Sequence, residues 1–461
     1  MKAIGPTLAA VLLLAGQSLA SEYPATAPGA PDDSDLQQRL ERLEAETQML
    51  RAELGQIQSR PIPLPPVGGP QYNTVSKSAA EDEVEYMTME DIRAEMKKLA
   101  WSKGDFKIVP YGILWGQTVY ETSRTYMGDY TLWAISGDEE GEDAIHFNGK
   151  GTRLGLDVSG PKLPFFCCAS SGGKVEIDFE GNFVTENKPG VLLRHAYWEV
   201  KNDDFRLLMG QTWDVIAPLN PNCVMYSVFW GAGNIGYRRA QLRYERYLTL
   251  TDAWKLQLQG ALATDAGHDF TNGAATNGDH AGWPIVEMRV GTTIGNDLPI
   301  AFGVSGHVGE VLFDFPGADD TARKTWSLNA DLKVPVTERL GFQGEFFTGT
   351  NLKTFLGGIV QGVNCGGTND EIRSTGGWAN VYYDLTSRLH TSVGYTIDDP
   401  IDADIITANG RLYNHAYWGN VTYDVTKKFL LGLEVSQWKT LFTDRSPGDS
   451  TRIEFAGKYA F

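Results

Sequence analysis

From Phe106 to Phe461 apolar and ionisable residues alternate one by one, and the spacers between these stretches are alternately short and long. Four stretches show the alternation plainly. Val175, Ile177 and Phe179 interleave with Lys174, Glu176, Asp178 and Glu180, and Trp254, Leu256 and Leu258 with Lys255, Gln257 and Gln259. Trp326, Leu328, Ala330, Leu332 and Val334 interleave with Ser327, Asn329, Asp331 and Lys333. Ile453, Phe455, Tyr459 and Phe461 interleave with Arg452, Glu454, Ala456 and Lys458. Successive strand side chains point to opposite faces, so each stretch has one apolar and one polar side.

A soluble antiparallel sheet would show the same alternation; the spacers decide between the two. Short polar turns recur at Asn202-Asp203-Asp204, Thr251-Asp252, Gly295-Asn296-Asp297, Thr337-Glu338, Leu385-Thr386-Ser387 and Val425-Thr426-Lys427. Between them lie longer segments near 122–145, 213–237, 264–283, 311–324, 350–374 and 397–410. Outer-membrane barrels are built with short turns at the periplasmic end and long loops outside. A soluble sandwich has no reason to sort loop length by end. The predicted fold class is therefore all-β, a transmembrane antiparallel β-barrel of about sixteen strands. Strand centres fall near residues 113, 153, 177, 196, 208, 243, 258, 288, 305, 330, 344, 379, 393, 418, 433 and 456. At about sixteen strands side chains no longer fill the interior and an aqueous channel is expected. The last residue, Phe461, with Tyr459, Gly457, Phe455 and Ile453 at two-residue steps before it, fits a closing strand that ends in an interfacial aromatic. Such an ending resembles the signal read by the barrel-assembly machinery.

The region before the barrel reads differently. Residues 1–20 have the form of a secretory signal: Lys2, an apolar core from Leu8 to Ala15, and Ser18-Leu19-Ala20 as a small-x-small cleavage site. Within 21–60, Leu36, Leu40, Leu43, Thr47, Leu50, Leu54 and Ile57 form a heptad seam. With Leu40 at position a, the g-to-e pairs Arg39/Glu44 and Glu46/Arg51 carry opposite charge, which favours a parallel coiled coil over a solitary amphipathic helix. Residues 61–80 form a linker made semi-rigid by Pro61, Pro63, Pro65 and Pro66. A helical segment over 81–104 follows, with Thr88 as N-cap and Met89, Ile92, Met96 and Leu99 on one face. The barrel is expected over 105–461.

Composition removes several alternatives. Beyond residue 20 no run of eighteen uncharged apolar residues occurs, so no helix is expected to span a bilayer. A net charge of −18 argues against a nucleic-acid partner, since phosphate binding needs concentrated Lys and Arg. The four cysteines, Cys167, Cys168, Cys223 and Cys365, lack a C-x-x-C spacing. Cys223 and Cys365 are candidate partners for one disulfide, while the neighbours Cys167 and Cys168 are sterically awkward partners. Neither a metal site nor a cofactor is expected. Seven scattered histidines and the lack of a G-x-S-x-G motif give no catalytic constellation, so an enzyme is not expected.

If the apolar faces meet lipid, the opposite register turns charge inward. Arg153 and Asp157 on the second strand, Arg194 on the fourth, Arg239 and Arg243 on the sixth, and Glu287 and Arg289 on the eighth are the candidate lining residues. Inward positions of such a barrel are polar by default, and a mixed set of charges satisfies that alone. Arginines recurring on alternate strands, opposed by carboxylates, would also set up a transverse field favouring small anions or dicarboxylates. The segment Trp213–Tyr237 is the candidate constriction loop. It carries Asp214 and several apolar residues (Val224, Met225, Val228, Phe229, Trp230) that must pack against the lumen wall or a neighbouring subunit. The acidic runs Asp138–Asp143 and Asp398-Asp399 with Asp402 and Asp404 are expected in solvated external loops, without the spacing of a calcium-binding EF-hand loop.

Stretches such as Gly151-Thr152-Arg153-Leu154-Gly155-Leu156, Leu193-Arg194-His195-Ala196-Tyr197 with Gly210-Gln211-Thr212-Trp213, and Gly344-Glu345-Phe346-Phe347 carry a family likeness. With the signal and coiled coil before them, they resemble DcaP-like trimeric outer-membrane porins across residues 106–461. The resemblance implies a homotrimer passing small hydrophilic, anionic solutes; the Pro-rich linker, second helix and paired cysteines depart from it. The competing expectation is a structural envelope anchor, in which the stalk tethers and the barrel only holds it in the lipid. Expected partners are small solutes and ions, outer-membrane lipids and the assembly machinery.

Overall fold

The computed structural model describes residues 100–461, apart from 140, 167, 182–188, 267–275, 281, 314–320 and 365–369, and gives Thr276–His280 as backbone only. The signal, coiled coil, linker and nearly all of the 81–104 segment lie outside these residues. Where that segment's last turn was expected, Trp101–Lys103 is instead extended and pairs antiparallel with Phe106–Ile108. Gly104, at φ +61, takes the left-handed turn that folds the chain back onto itself, a conformation cheap only for glycine.

Sixteen strands make the wall. In chain order they are β1 (Phe106–Glu121), β2 (Arg153–Leu163), β3 (Ala169–Asp178), β4 (Leu192–Lys201), β5 (Phe205–Trp213), β6 (Arg238–Thr251), β7 (Trp254–Ala263) and β8 (Ile285–Ile294). There follow β9 (Ile300–Phe313), β10 (Thr321–Pro335), β11 (Leu340–Thr350), β12 (Arg373–Asp384), β13 (Leu389–Pro400), β14 (Arg411–Thr426), β15 (Phe429–Phe442) and β16 (Gly448–Ala460). Each expected strand centre falls inside one of them. Every neighbour in sequence is an antiparallel neighbour in space, and β16 closes on β1 through a register running from Ile113↔Ala460 to Glu121↔Arg452. Closure leaves no strand edge of unpaired N–H and C=O groups, the one sheet arrangement that lipid tolerates.

The alternation places its apolar side outward. On β9 Phe302, Val304 and Val308 are exposed by 45%, 51% and 52%, whereas Ser305 and His307 are buried. Trp326 and Leu328 on β10 face out, and Ser327, Asn329 and Asp331 face in. A fold whose large apolar side chains are half exposed while its serines, asparagines and aspartates are buried has hydrocarbon as its outer solvent.

Connections at the two ends differ as the spacers predict. The turns 202–204, 252–253, 336–339, 385–388 and 427–428 are short, and at the other end 122–152, 214–237, 351–372 and 401–410 are long. Three short turns share one device, with the hydroxyls of Thr337, Thr386 and Thr426 each accepting the backbone N–H groups two and three residues on. Threonine thus mimics a turn residue and sets the hairpin register. Two expectations about the long ends need correction. The hairpin of β9 and β10 extends further than predicted, leaving only 314–320 as connection. Asp398 and Asp399 belong to β13, and Asp398 is buried inward, accepting the Ser374 hydroxyl at 2.6 Å. Consecutive acids suggest a loop, but an inward wall position is polar in any case.

Candidate functional site

The long connection L3 (214–237) leaves the wall after β5 and returns to β6. Its two ends are clamped together: Asp214 N–H donates to Tyr237 O and Tyr237 N–H to Asp214 Oδ2, both at 2.8 Å. Arg239, the second residue of β6, secures the clamp with Nε at 2.7 Å from Asp214 Oδ1 and Nη2 at 3.1 Å from Oδ2. Its Nη2 also donates to Thr354 O at 3.0 Å, and Glu287 and Asp265 stand 3.7 and 3.8 Å from the guanidinium.

From this base L3 runs along the inside of the barrel, and wall side chains receive its backbone in sequence. Val215 N–H donates to Glu287 of β8 at 2.6 Å and Leu219 N–H to Glu345 of β11 at 2.7 Å. Asn222 N–H donates to Asn380 of β12 at 3.2 Å and Val224 N–H to Glu434 of β15 at 2.8 Å. The Tyr226 hydroxyl then donates to Asp178 of β3 at 2.6 Å, on the far side of the seam between β16 and β1. Four of the tethers donate from a backbone amide and the fifth from the Tyr226 hydroxyl, and four of the five acceptors are carboxylates, which form the stronger kind of hydrogen bond. Gly233, at φ +122, lies so close to the Gly377 and Ile397 carbonyls that a Cβ there would collide with backbone.

The apolar residues of L3 pack onto two other long connections, L1 (122–152) and L6 (351–372). Val224, Tyr226 and Trp230 form one cluster with Tyr130, Leu132 and Trp133 of L1 and with Leu356, Ile359 and Val360 of L6. Phe229 lies against Trp418 and Trp438, with ring centroids 4.3 and 5.4 Å apart. Both tryptophans occupy inward positions that polar side chains would otherwise take. Asn414 joins L1 and L3 by donating to Leu132 O and Gly231 O at 2.8 and 2.7 Å. Gly231 N–H donates to Leu356 O and Gly236 N–H to Phe355 O, joining L3 to L6 at 2.9 and 2.8 Å.

The predicted lining residues fall into three groups. Asp214, Arg239 and Glu287 form the buried base of L3 and are anchors rather than open lining. Arg153 and Arg194 approach Tyr226 from the wall. The Arg194 guanidinium donates to Glu176 and Asp178 at 2.6 Å each and to the Tyr226 hydroxyl at 2.9 Å, and Arg153 stands 5.4 Å from the Tyr226 ring. Below L3, Arg243 is bonded to Gln241 at 2.8 Å, Arg289 to Asp331 at 2.7 and 3.0 Å, and the exposed Asp157 pairs with Lys174 at 3.3 Å. The arginines therefore do line up on alternate strands, with most of their charge answered by neighbouring carboxylates. Cys223, near the far reach of L3, is a free thiol 3.5 Å from Met225 O, and Cys365 lies outside the described residues.

Two cavities flank L3. One of about 190 Å³ lies between its legs and the wall, bounded by Trp213, Asp214, Trp230, Tyr237, Arg243 and Gln259. The other, about 310 Å³, lies between Cys223 and the wall of β12 to β16 and reaches Asp384, His390 and Lys458. Sequence reasoning missed Lys458, the tethers Glu345 and Glu434, and the inward course of L6, whose Ile359 N–H donates to Asp398 at 2.9 Å. Tryptophans at inward positions (Trp378, Trp418, Trp438) were the available signal, since an aromatic there needs an apolar partner inside the barrel.

No family model matches the chain, and no curated relative matches it. Among solved structures it is similar to the outer membrane channel DcaP of Acinetobacter baumannii, at 19% identity and a TM-score of 0.63, covering 78% of this chain and 99% of that one. It is also similar to the anion-selective porin from Comamonas acidovorans, at 10% identity and a TM-score of 0.50, covering 77% of this chain and 100% of that one. At these identities the likeness establishes the shared sixteen-stranded barrel.

Proposed function

We propose that this chain is a porin of the outer membrane, a homotrimer through which small hydrophilic solutes diffuse passively, with a weak preference for anions and dicarboxylates and no enzymatic activity. The observation that carries the reading is an apolar-outside, polar-inside barrel whose interior is narrowed by L3, tethered strand after strand to the wall. An anchor needs the lipid-facing surface but has no use for a loop pinned across the lumen. Porins set selectivity by such a loop and by the charges opposite it. The two solved structures described above are a channel and an anion-selective porin, in keeping with this assignment. The N-terminal stalk is assigned to the periplasm, on the side of the short turns.

Selectivity follows local potential rather than total charge, so a chain of net charge −18 can still favour anions. Arg153 and Arg243 are assigned to that local field, whereas Arg194 is offset by Glu176 and Asp178. Purified protein in planar bilayers should give conductance in steps of three, and the reversal potential in a salt gradient should carry the sign of chloride preference. Silent bilayers from correctly folded protein would return the anchor reading, and a reversal potential of opposite sign would remove the anion preference.

A further inference from the structure

Most arginines inside the barrel are answered by carboxylates, but one lysine is not. Lys458 lies on β16 in the inward register of Glu454 and Ala456, and its Nζ stands 4.0 Å from the centre of the Trp115 ring. Among the described residues its ammonium has no hydrogen-bond or salt-bridge partner. The nearby carboxylates are engaged elsewhere. Glu454 faces Arg452 at 3.7 Å, and Glu434 accepts from Val224 and Asn420 at 2.8 and 3.0 Å. Asp384 holds His390 at 2.6 Å. An indole face steadies an ammonium without neutralising it, and its N–H donors stay available.

Lys458 also borders the 310 Å³ cavity beside L3, together with the amide of Asn420 and the hydroxyls of Ser392 and Thr422. We propose that this cavity is a second subsite on the solute path, in which Lys458 takes the carboxylate or sulfonate of a small anionic solute. The Thr422 hydroxyl then meets one of the solute's remaining polar atoms, the Asn420 amide and the Ser392 hydroxyl being held in place by their own bonds to Asn222 O and Glu434. This rests on the porin reading and deepens it, because it gives the anion preference a residue on the opposite side of L3 from Arg243. The bland alternative is a lysine that only braces the closing strand against Trp115, and the two differ in what an anion senses.

Cys223 borders the same cavity and can report on it. With Cys167, Cys168 and Cys365 replaced by serine, the full-length protein is treated with sulfonatoethyl or trimethylammonioethyl methanethiosulfonate, each of which converts the thiolate to a mixed disulfide with loss of methanesulfinate. Rates are normalised to those of free cysteine. The anionic reagent is expected to react about tenfold faster than the cationic one, as one unit charge acts with opposite sign on the two at ~6 Å in a water-like medium. K458R should keep the advantage, K458Q should abolish it and K458E should reverse it. Equal normalised rates in the parent protein, a ratio unchanged in K458Q, or a Cys223 inert to both reagents would overturn the subsite. The parent ratio decides the matter even if K458Q fails to fold. Bilayers formed from the same preparation separate the two readings: conduction with charge-blind labelling keeps the pore and removes the subsite. Silence with anion-favoured labelling does the reverse.

Discussion

A guanidinium removed from water is tolerated where its charge is answered, and Arg239 finds partners for its Nε and Nη2 in three parts of the chain. Asp214 belongs to the root of L3, Glu287 to β8 and Thr354 to L6, so one fully buried side chain joins both inward loops to the wall. Its guanidinium carbon lies 3.8 Å from the Phe355 ring centre, which shields the site from solvent. Removing one member of a buried ion pair costs about 3–5 kcal/mol, because the charge left behind is uncompensated. Arg239→Ala should lower the stability of the folded barrel by about that amount in urea titrations into lipid vesicles. Arg289→Ala, beside the more open Asp331, should cost less. Equal losses would show that the base of L3 is not the keystone its geometry implies. The sequence identified Arg239 by its register, as an inward arginine near a long loop, but periodicity reports which way a side chain points and not what meets it there. The partners come from residues 25, 48 and 115 positions away, counting from 239 to 214, 287 and 354, and no local pattern encodes them.

At the scale of elements, local rules were enough for the wall and failed for the lumen. Strand positions followed from period-two alternation, and three of the short turns carry the same threonine device, so both could be read residue by residue. L3 could be suspected of folding inward from its apolar content, as Val224, Phe229 and Trp230 have no place in a solvated loop. Its course could not be read, because the tethers that fix it belong to β8, β11, β12 and β15. Glu345 makes this testable, since it accepts both Leu219 N–H at 2.7 Å and Trp378 Nε1–H at 3.2 Å. Glu345→Ala leaves two buried donors unanswered at a cost of about 1–3 kcal/mol each, whereas Glu345→Gln keeps an acceptor oxygen. Hydrogen–deuterium exchange should therefore quicken around Ile216–Asn220 in the alanine variant and change little in the glutamine variant. If both variants match the parent, L3 is held by its hydrophobic packing and the carboxylate tethers contribute little.

For the molecule as a whole, closure converts a repeating pattern into a membrane fold. Each strand is stable only because both of its edges are occupied, and the final pairing, β16 with β1, joins the two ends of the barrel in sequence. Phe461 completes it, exchanging backbone hydrogen bonds with Gly112 at 3.0 and 3.3 Å. Deleting Gly448–Phe461 would expose the partner-facing edges of β1 and β15 to hydrocarbon, where each orphaned peptide group costs several kcal/mol. The loss exceeds the 5–15 kcal/mol that typically separates folded from unfolded protein. The truncated chain should yield no compact, heat-modifiable band on SDS gels. A circular permutant that joins the end of β16 to the start of β1 and opens the chain at the turn 336–339 keeps all sixteen strand pairings, and it should fold and conduct. If the truncated chain folds, the seam between β16 and β1 is dispensable; if the permutant does not, chain order matters beyond closure. Compact truncated protein together with an unfolded permutant would contradict closure as the organising constraint of this barrel.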